Sequence, residues 1–118
     1  MQLIWIFLGG GLGSVCRYLI TKLVGVDQVF PFATLSANFL ASFMLGLLFG
    51  MSGNDILSER QKLFFMTGFC GGFSTFSTFS LENFNLLDAG NFLSFGLNVL
   101  LSVVICLCGI WLGYRISA

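Results

Sequence analysis

Gly68-Phe69-Cys70-Gly71-Gly72-Phe73-Ser74-Thr75-Phe76-Ser77-Thr78-Phe79-Ser80 is the stretch on which the architecture turns. It sits inside a long apolar segment and is poorly suited to remain one straight helix. Two adjacent glycines propagate a helix badly. Five Ser/Thr positions then alternate with Phe as a short Phe-Ser-Thr repeat, and such hydroxyls compete for backbone hydrogen bonds. The reading is a helix broken at or just after Gly71-Gly72. Non-helical backbone at membrane depth is tolerated only where protein or a water-filled cavity covers it, so carbonyls freed between Gly71 and Ser74 need partners. A cation is one solution, because main-chain oxygens are good hard-ion ligands. Neighbouring hydroxyls are another.

Outward from this stretch, composition identifies the solvent. Of 118 residues, 57% are hydrophobic and 8% charged, with a mean hydropathy of +0.97. An ordinary soluble domain carries about 25% charged residues, so most of this surface must face lipid. Five basic and five acidic residues balance to zero, which leaves no basic footprint for nucleic acid. The length holds one domain, residues 1–118. The first apolar run lacks a basic leading region and a small-residue cleavage site, and Arg17 interrupts its far half; it reads as a retained helix. Cys16, Cys70, Cys106 and Cys108 lie in apolar stretches, with no His and no C-x-x-C pair beside them. They read as small buried hydrophobes, without support for zinc or iron–sulfur chemistry.

A membrane-crossing helix needs about 20 mostly apolar residues. Four segments qualify, at about 3–24, 32–51, 61–87 and 92–114. Pro31 suits the start of the second. Ser58 and Gln61 have the spacing of a capping box for the third, and Gly90-Asn91 separates the third from the fourth. Trp111, Tyr114 and Arg115 read as interfacial anchors. Short connections make sequential helices antiparallel, which places both termini on one side with Arg60, Lys62 and Arg115. Lys22 lies on the other side. That bias is too weak to specify one orientation, so an antiparallel homodimer is open to such a chain. The small residues Gly9-Gly10-Gly11, Gly13, Ser14, Ala37, Ala41, Ser42 and Gly46 offer faces for close helix contact, within one subunit or between two.

The polar residues inside the spans suggest a path. Phe76 and Phe79 share a helical face at i, i+3, and their ring edges carry positive potential that can meet an anion. Ser77 and Thr78 between them supply hydroxyl donors. Asn38 lies within helix two, while Asn98 and Ser102 share one face of helix four. Each must face protein or water, as a helix–helix hydrogen bond or as part of a polar track for a small anion. Arg17 either snorkels outward or forms a positive vestibule. Glu82 falls about 30 Å beyond Lys62 at 1.5 Å per residue, near the interface.

The run 68–79 closely resembles the signature of the Fluc, or CrcB-type, fluoride channels. Gly9-Gly10-Gly11-Leu12-Gly13 leading to Arg17-Tyr18, and Thr34-Leu35 followed by Asn38, extend the likeness in order along the chain. The resemblance implies an all-α, dual-topology homodimer in a prokaryotic plasma or inner membrane, with four spans per subunit and the third broken. It implies anion pathways with Phe76 and Phe79 as aromatic walls, and Asn38, Ser77 and Thr78 as hydrogen-bond donors. Ser102 continues the polar track, Arg17 lies near a vestibule and Glu82 near a pore mouth. A structural Na⁺ at the dimer centre would be held by the Gly71 and Ser74 carbonyls of both subunits. Ser74 stands where Thr is also common, and helix two has Ala37 before Asn38 where Val is frequent.

The expected activity is passive export of fluoride. Neutral HF crosses lipid and ionises in a less acidic cytoplasm, so a fluoride-selective pore is needed for its release; no enzyme chemistry is required. A proton-coupled exporter of cationic drugs is the main rival, but it needs an intramembrane carboxylate, and helices one, two and four contain no Asp or Glu. A non-transporting assembly protein would leave the Ser/Thr-rich break unexplained.

Overall fold

In the computed structural model, which describes residues 2–25 and 30–118, the described residues form four helices in sequence order, the third of them broken. Helix one is Gln2–Val24, helix two Phe32–Gly53 and helix four Phe92–Ser117. Each of these three is long and apolar enough to cross a membrane. Helix three is two half-helices. Its first half, residues 59–73, begins as Glu59–Gln61, widens into a π-helix over Lys62–Cys70 and tightens again at Gly71–Phe73; its second half is Ser77–Asp88.

Local chemistry sets these ends. Ser58 Oγ accepts from Gln61 N at 3.2 Å while Gln61 Oε1 accepts from Ser58 N at 2.9 Å, so the expected capping box is present and starts helix three at Glu59, two residues ahead of the expected 61. Pro31 precedes the first residue of helix two, as its fixed φ favours. Helices two and four run on to Gly53 and Ser117, past the expected 51 and 114. Asn91 stands at the start of helix four without a side-chain capping bond.

The fold is inside out by soluble standards. Leu3, Phe7, Leu23, Leu93, Leu107 and Ile116 are between 62% and 82% exposed, while the buried core is built on Ala37, Ala41 and Phe73, with Cys16, Ile20 and Phe69 against them. The outer surface therefore presents the apolar face that lipid solvates, and small residues sit where helices touch. With a long dimension of 48 Å, the bundle matches a bilayer of about 40–45 Å including its headgroups. The chain is a multi-pass membrane protein.

Packing is densest in two helix pairs. Helix one lies against the first half of helix three, and helix two against helix four. A Cβ on Gly72 would meet the Gly10 carbonyl, and a Cβ on Gly46 would meet that of Ile110. Only glycine permits backbones to approach so closely, so the small faces around Gly10 and Gly46 serve contacts within one subunit. Arg60 over the Trp5 ring, and Phe49 beside Tyr114, bring the starts of helices one and three and the ends of helices two and four to the same end of the bundle. This is the expected up-and-down arrangement.

Candidate functional site

The helical run of the first half ends at Phe73, and Ser74 turns extended at ψ 158°. Gly71 and Gly72 are themselves helical, with Gly71 at φ −64° and ψ −37°. The break thus falls just past the two glycines. Gly72 is there for its approach to Gly10; the interruption comes from hydrogen-bond competition downstream.

That competition has named partners. Ser74 Oγ and Ser74 N both donate to the Cys70 carbonyl, at 2.8 and 3.0 Å. Thr75 N, which in a continuing helix would return to Gly71 O, donates to Asn38 Oδ1 at 2.9 Å, and Asn38 Nδ2 donates back to Thr75 O at 3.3 Å. Thr75 Oγ1 then accepts from Thr78 N at 3.3 Å and lies 3.2 Å from Thr78 Oγ1 and 3.4 Å from Ser77 Oγ. It therefore caps the second half-helix in the manner of a Ser/Thr cap. Arg17 Nε donates to Gly72 O at 3.3 Å. A guanidinium and an amide side chain thus satisfy backbone groups at the break, alongside the Ser74 and Thr75 hydroxyls.

Two carbonyls are left without a donor by this arrangement. Among the described residues, no backbone or side-chain hydrogen bond ends on Gly71 O or Ser74 O. A hollow of about 160 Å³ lies alongside, lined by Ala41, Ser42, Leu45, Met66, Cys70, Gly71 and Ser74. Neutral main-chain oxygens suit a hard monovalent cation. The described residues contain no cluster of three His, Cys, Asp or Glu that could hold a metal, so any cation here would rest on carbonyls.

A second, larger groove of about 290 Å³ runs beside the break. Asn38, Ser42, Ser74, Thr75, Phe76, Phe79, Ser102, Val103 and Cys106 line it. Asn38, Phe76, Phe79 and Ser102 therefore meet at one surface, although they come from three helices. The Phe76 and Phe79 rings lie 5.8 Å apart and tilted at 42°. Phe76 is 78% exposed, so its ring forms an open wall of the groove within one chain. Asn38 spends one amide hydrogen on Thr75 and has a second to offer.

The remaining expected residues stand outside this lining. Ser77 and Thr78 belong to the Thr75 cap, with Ser77 exposed. Arg17 is bound at Gly72, one residue from the free Gly71 carbonyl. Glu82 is half-buried beside Thr34 of helix two, with Oε1 shielded from solvent.

Two contributors escape a reading of the sequence. Thr75 is the hub of the break, and Asn83 is the partner of Asn98. Asn98 Nδ2 donates to Asn83 Oδ1 at 2.8 Å, and Ser102 Oγ donates to Asn98 Oδ1 at 3.4 Å. With Asn98 only 1% exposed and Asn83 6%, Asn98 forms the helix–helix hydrogen bond, and the polar chain reaches the groove only through Ser102. The signal for Asn83 was available: an amide inside a crossing segment must find protein or water.

Comparison with known proteins agrees along the chain. Residues 4–114 match the family described as CrcB-like protein, Camphor Resistance (CrcB). A protein of Azobacteroides pseudotrichonymphae named "Fluoride-specific ion channel FluC" is 43% identical over 93% of this chain and 90% of its own length. Proteins of the same name from Campylobacter jejuni and Pyrococcus furiosus are 47% and 44% identical, over 92% and 95% of this chain and 90% and 92% of theirs. These are names of ion channels and not of enzymes.

Proposed function

The chain belongs to the CrcB-like family, and from that premise we propose that it is a fluoride-selective channel giving passive, electrogenic export of cytoplasmic F⁻. The observation that carries the reading is the groove at the helix break. The Asn38 amide, with one hydrogen uncommitted, lines it together with Ser102 and the rings of Phe76 and Phe79, with no carboxylate or cationic side chain among the described lining residues. Such a wall offers an amide donor and positive ring edges to an anion. It gives a proton-coupled cation exporter no acid to load. The start of the Ser77–Asp88 half-helix adds a positive dipole end beside Phe76 and Phe79.

The groove is open-sided in one subunit, since Phe76 is largely uncovered. In this proposal a second, oppositely oriented copy closes it, giving pathways in a dual-topology homodimer of the cell membrane. The Gly71 and Ser74 carbonyls of both copies would then surround a structural Na⁺, which supplies positive charge to hold the two breaks together. Arg17 near the vestibule and Glu82 near the pore mouth complete the assignment.

Efflux from liposomes into a fluoride electrode tests it. Fast release that requires a potassium shunt, with chloride nearly retained and no pH gradient needed, is the expected result. Strict dependence on a proton gradient, or no fluoride flux from folded protein, overturns the channel reading. Equal thermal stability in Na⁺ and in N-methylglucamine would remove the sodium site.

A further inference from the structure

The end of the bundle away from the groove carries a second polar feature. Arg60, in the first turn of helix three, holds its guanidinium 5.9 Å from the centroid of the Trp5 ring on helix one. Its neighbouring acid is already engaged: Glu59 Oε1 pairs with Lys62 Nζ at 3.2 Å. Among the described residues, no ion pair reaches Arg60. A planar, exposed cation thus lies over an aromatic face and retains donors for an anion.

Clefts open on both sides of this pair. One, of about 550 Å³, is lined by Trp5, Ser58, Arg60, Gln61, Phe64 and Phe65. The other, of about 520 Å³, is lined by Gln2, Ile4, Trp5, Glu59, Arg60 and Leu63. Neither shares a residue with the groove at the break. Lys22 and Arg115 also lie over rings, those of Tyr18 and Trp111, but neither lines these clefts.

Chemistry changes along the first cleft in one direction. Ser58, Arg60 and Gln61 occupy the end of the bundle. Phe64 and Phe65, edge to face at 4.9 Å, lie about one turn further toward its middle. Helices one and three both begin here, so this polar-to-apolar step coincides with the passage from headgroups to acyl chains. A water-soluble anion would match only the outer half. A phospholipid matches both halves, with its phosphate at the guanidinium and its first acyl carbons against Trp5, Phe64 and Phe65.

We propose that this cleft binds an anionic phospholipid, its phosphodiester on Arg60 and its acyl chain on the three aromatic rings. Arg suits the task because its flat fork can take two phosphate oxygens at once. The unpaired charge selects an anionic headgroup over a zwitterionic one, whose own ammonium offsets the phosphate. The site is independent of what the groove conducts.

Trp5 reports on its own occupancy. The chain has two Trp residues, so Trp111→Phe, at a 62% exposed lipid-facing position, leaves Trp5 as the only indole. This variant is placed in vesicles containing increasing fractions of phosphatidylglycerol or phosphatidylcholine brominated in the acyl chain. Half-maximal quenching of Trp5 is expected at about a fivefold lower mole fraction of the brominated phosphatidylglycerol, the factor one cation contributes near anionic lipid. Arg60→Gln added to this background should erase the difference, and Lys62→Gln should preserve it. Equal half-quenching fractions for the two lipids before any change at Arg60 overturns the site. Loss of the preference to the same degree in both charge variants also overturns it, because diffuse surface attraction then accounts for the effect.

Discussion

Asn38 and Thr75 close a two-bond ring, side chain to backbone, with the amide of helix two accepting at 2.9 Å and donating at 3.3 Å. Thr75 is drawn out of the helical ladder by this contact, and the Gly71 carbonyl loses its usual donor. One amide side chain therefore shapes the groove wall on one side and frees a carbonyl on the other.

Asn38→Asp separates these roles. The carboxylate still accepts from Thr75 N but cannot return a bond to Thr75 O, and it brings negative charge to an anion path. The subunit should still fold, while liposome fluoride flux falls below detection. Asn38→Leu removes both bonds and should lower stability by about 1–3 kcal/mol, because it leaves backbone groups unpaired. Wild-type flux from the Asp variant would mean that anions do not pass Asn38.

Phe76→Ile and Phe79→Ile test the rings. Phe76 is so exposed within one chain that its replacement should hardly alter subunit folding. Each variant should retain the dimer on size exclusion and lose at least about tenfold in flux, corresponding to roughly 1.4 kcal/mol of lost anion stabilisation. Undiminished flux in both would show that the groove is not the path.

Gly72→Ala places a methyl group against the Gly10 carbonyl. Overpacking of this kind costs about 1–3 kcal/mol, and here it forces apart the helix-one and helix-three backbones. Gly11→Ala is the control: a Cβ there meets nothing within 4 Å, and alanine favours helix by about 1 kcal/mol. Thermal melting in detergent should fall for the first variant and hold or rise for the second.

Asn83→Ala should destabilise by about 1–3 kcal/mol, because it strands the buried Asn98 amide. Asn98→Ala should cost a similar amount, and the double variant less than the sum of the two. Strict additivity in melting experiments would show that the pair does not act as a unit.

The spans, their order and the capping box at Ser58 were legible because each depends on residues close together in sequence. Apolar runs, turn residues and the Ser58–Gln61 spacing need no tertiary partner. The position of the break was legible only to within a few residues. Its determinant, Asn38, lies 37 positions from Thr75, and nothing local says which backbone N–H that side chain will capture. The same applies to Asn98 and Asn83, 15 residues apart on facing helices. Nor does a run of glycines say whether it packs within or between subunits; the approach of Gly72 to Gly10 is a contact between distant segments of one chain. The π-helical widening over Lys62–Cys70 has no counterpart in the apolar pattern, which reads the same for either helix type.

Because the Asn38–Thr75 ring lines the groove and also withholds Thr75 N from the Gly71 carbonyl, the proposed fluoride and sodium sites are not independent of each other. An anion that draws the second Asn38 amide hydrogen strains the bonds that keep Gly71 O available, and a cation seated on that oxygen stiffens the same ring. Thermodynamic linkage then requires reciprocity: whatever factor sodium imposes on fluoride affinity, fluoride must impose on sodium affinity. Titrating each ion at saturating and at zero concentrations of the other should give one coupling constant from both directions, and Asn38→Asp should change it.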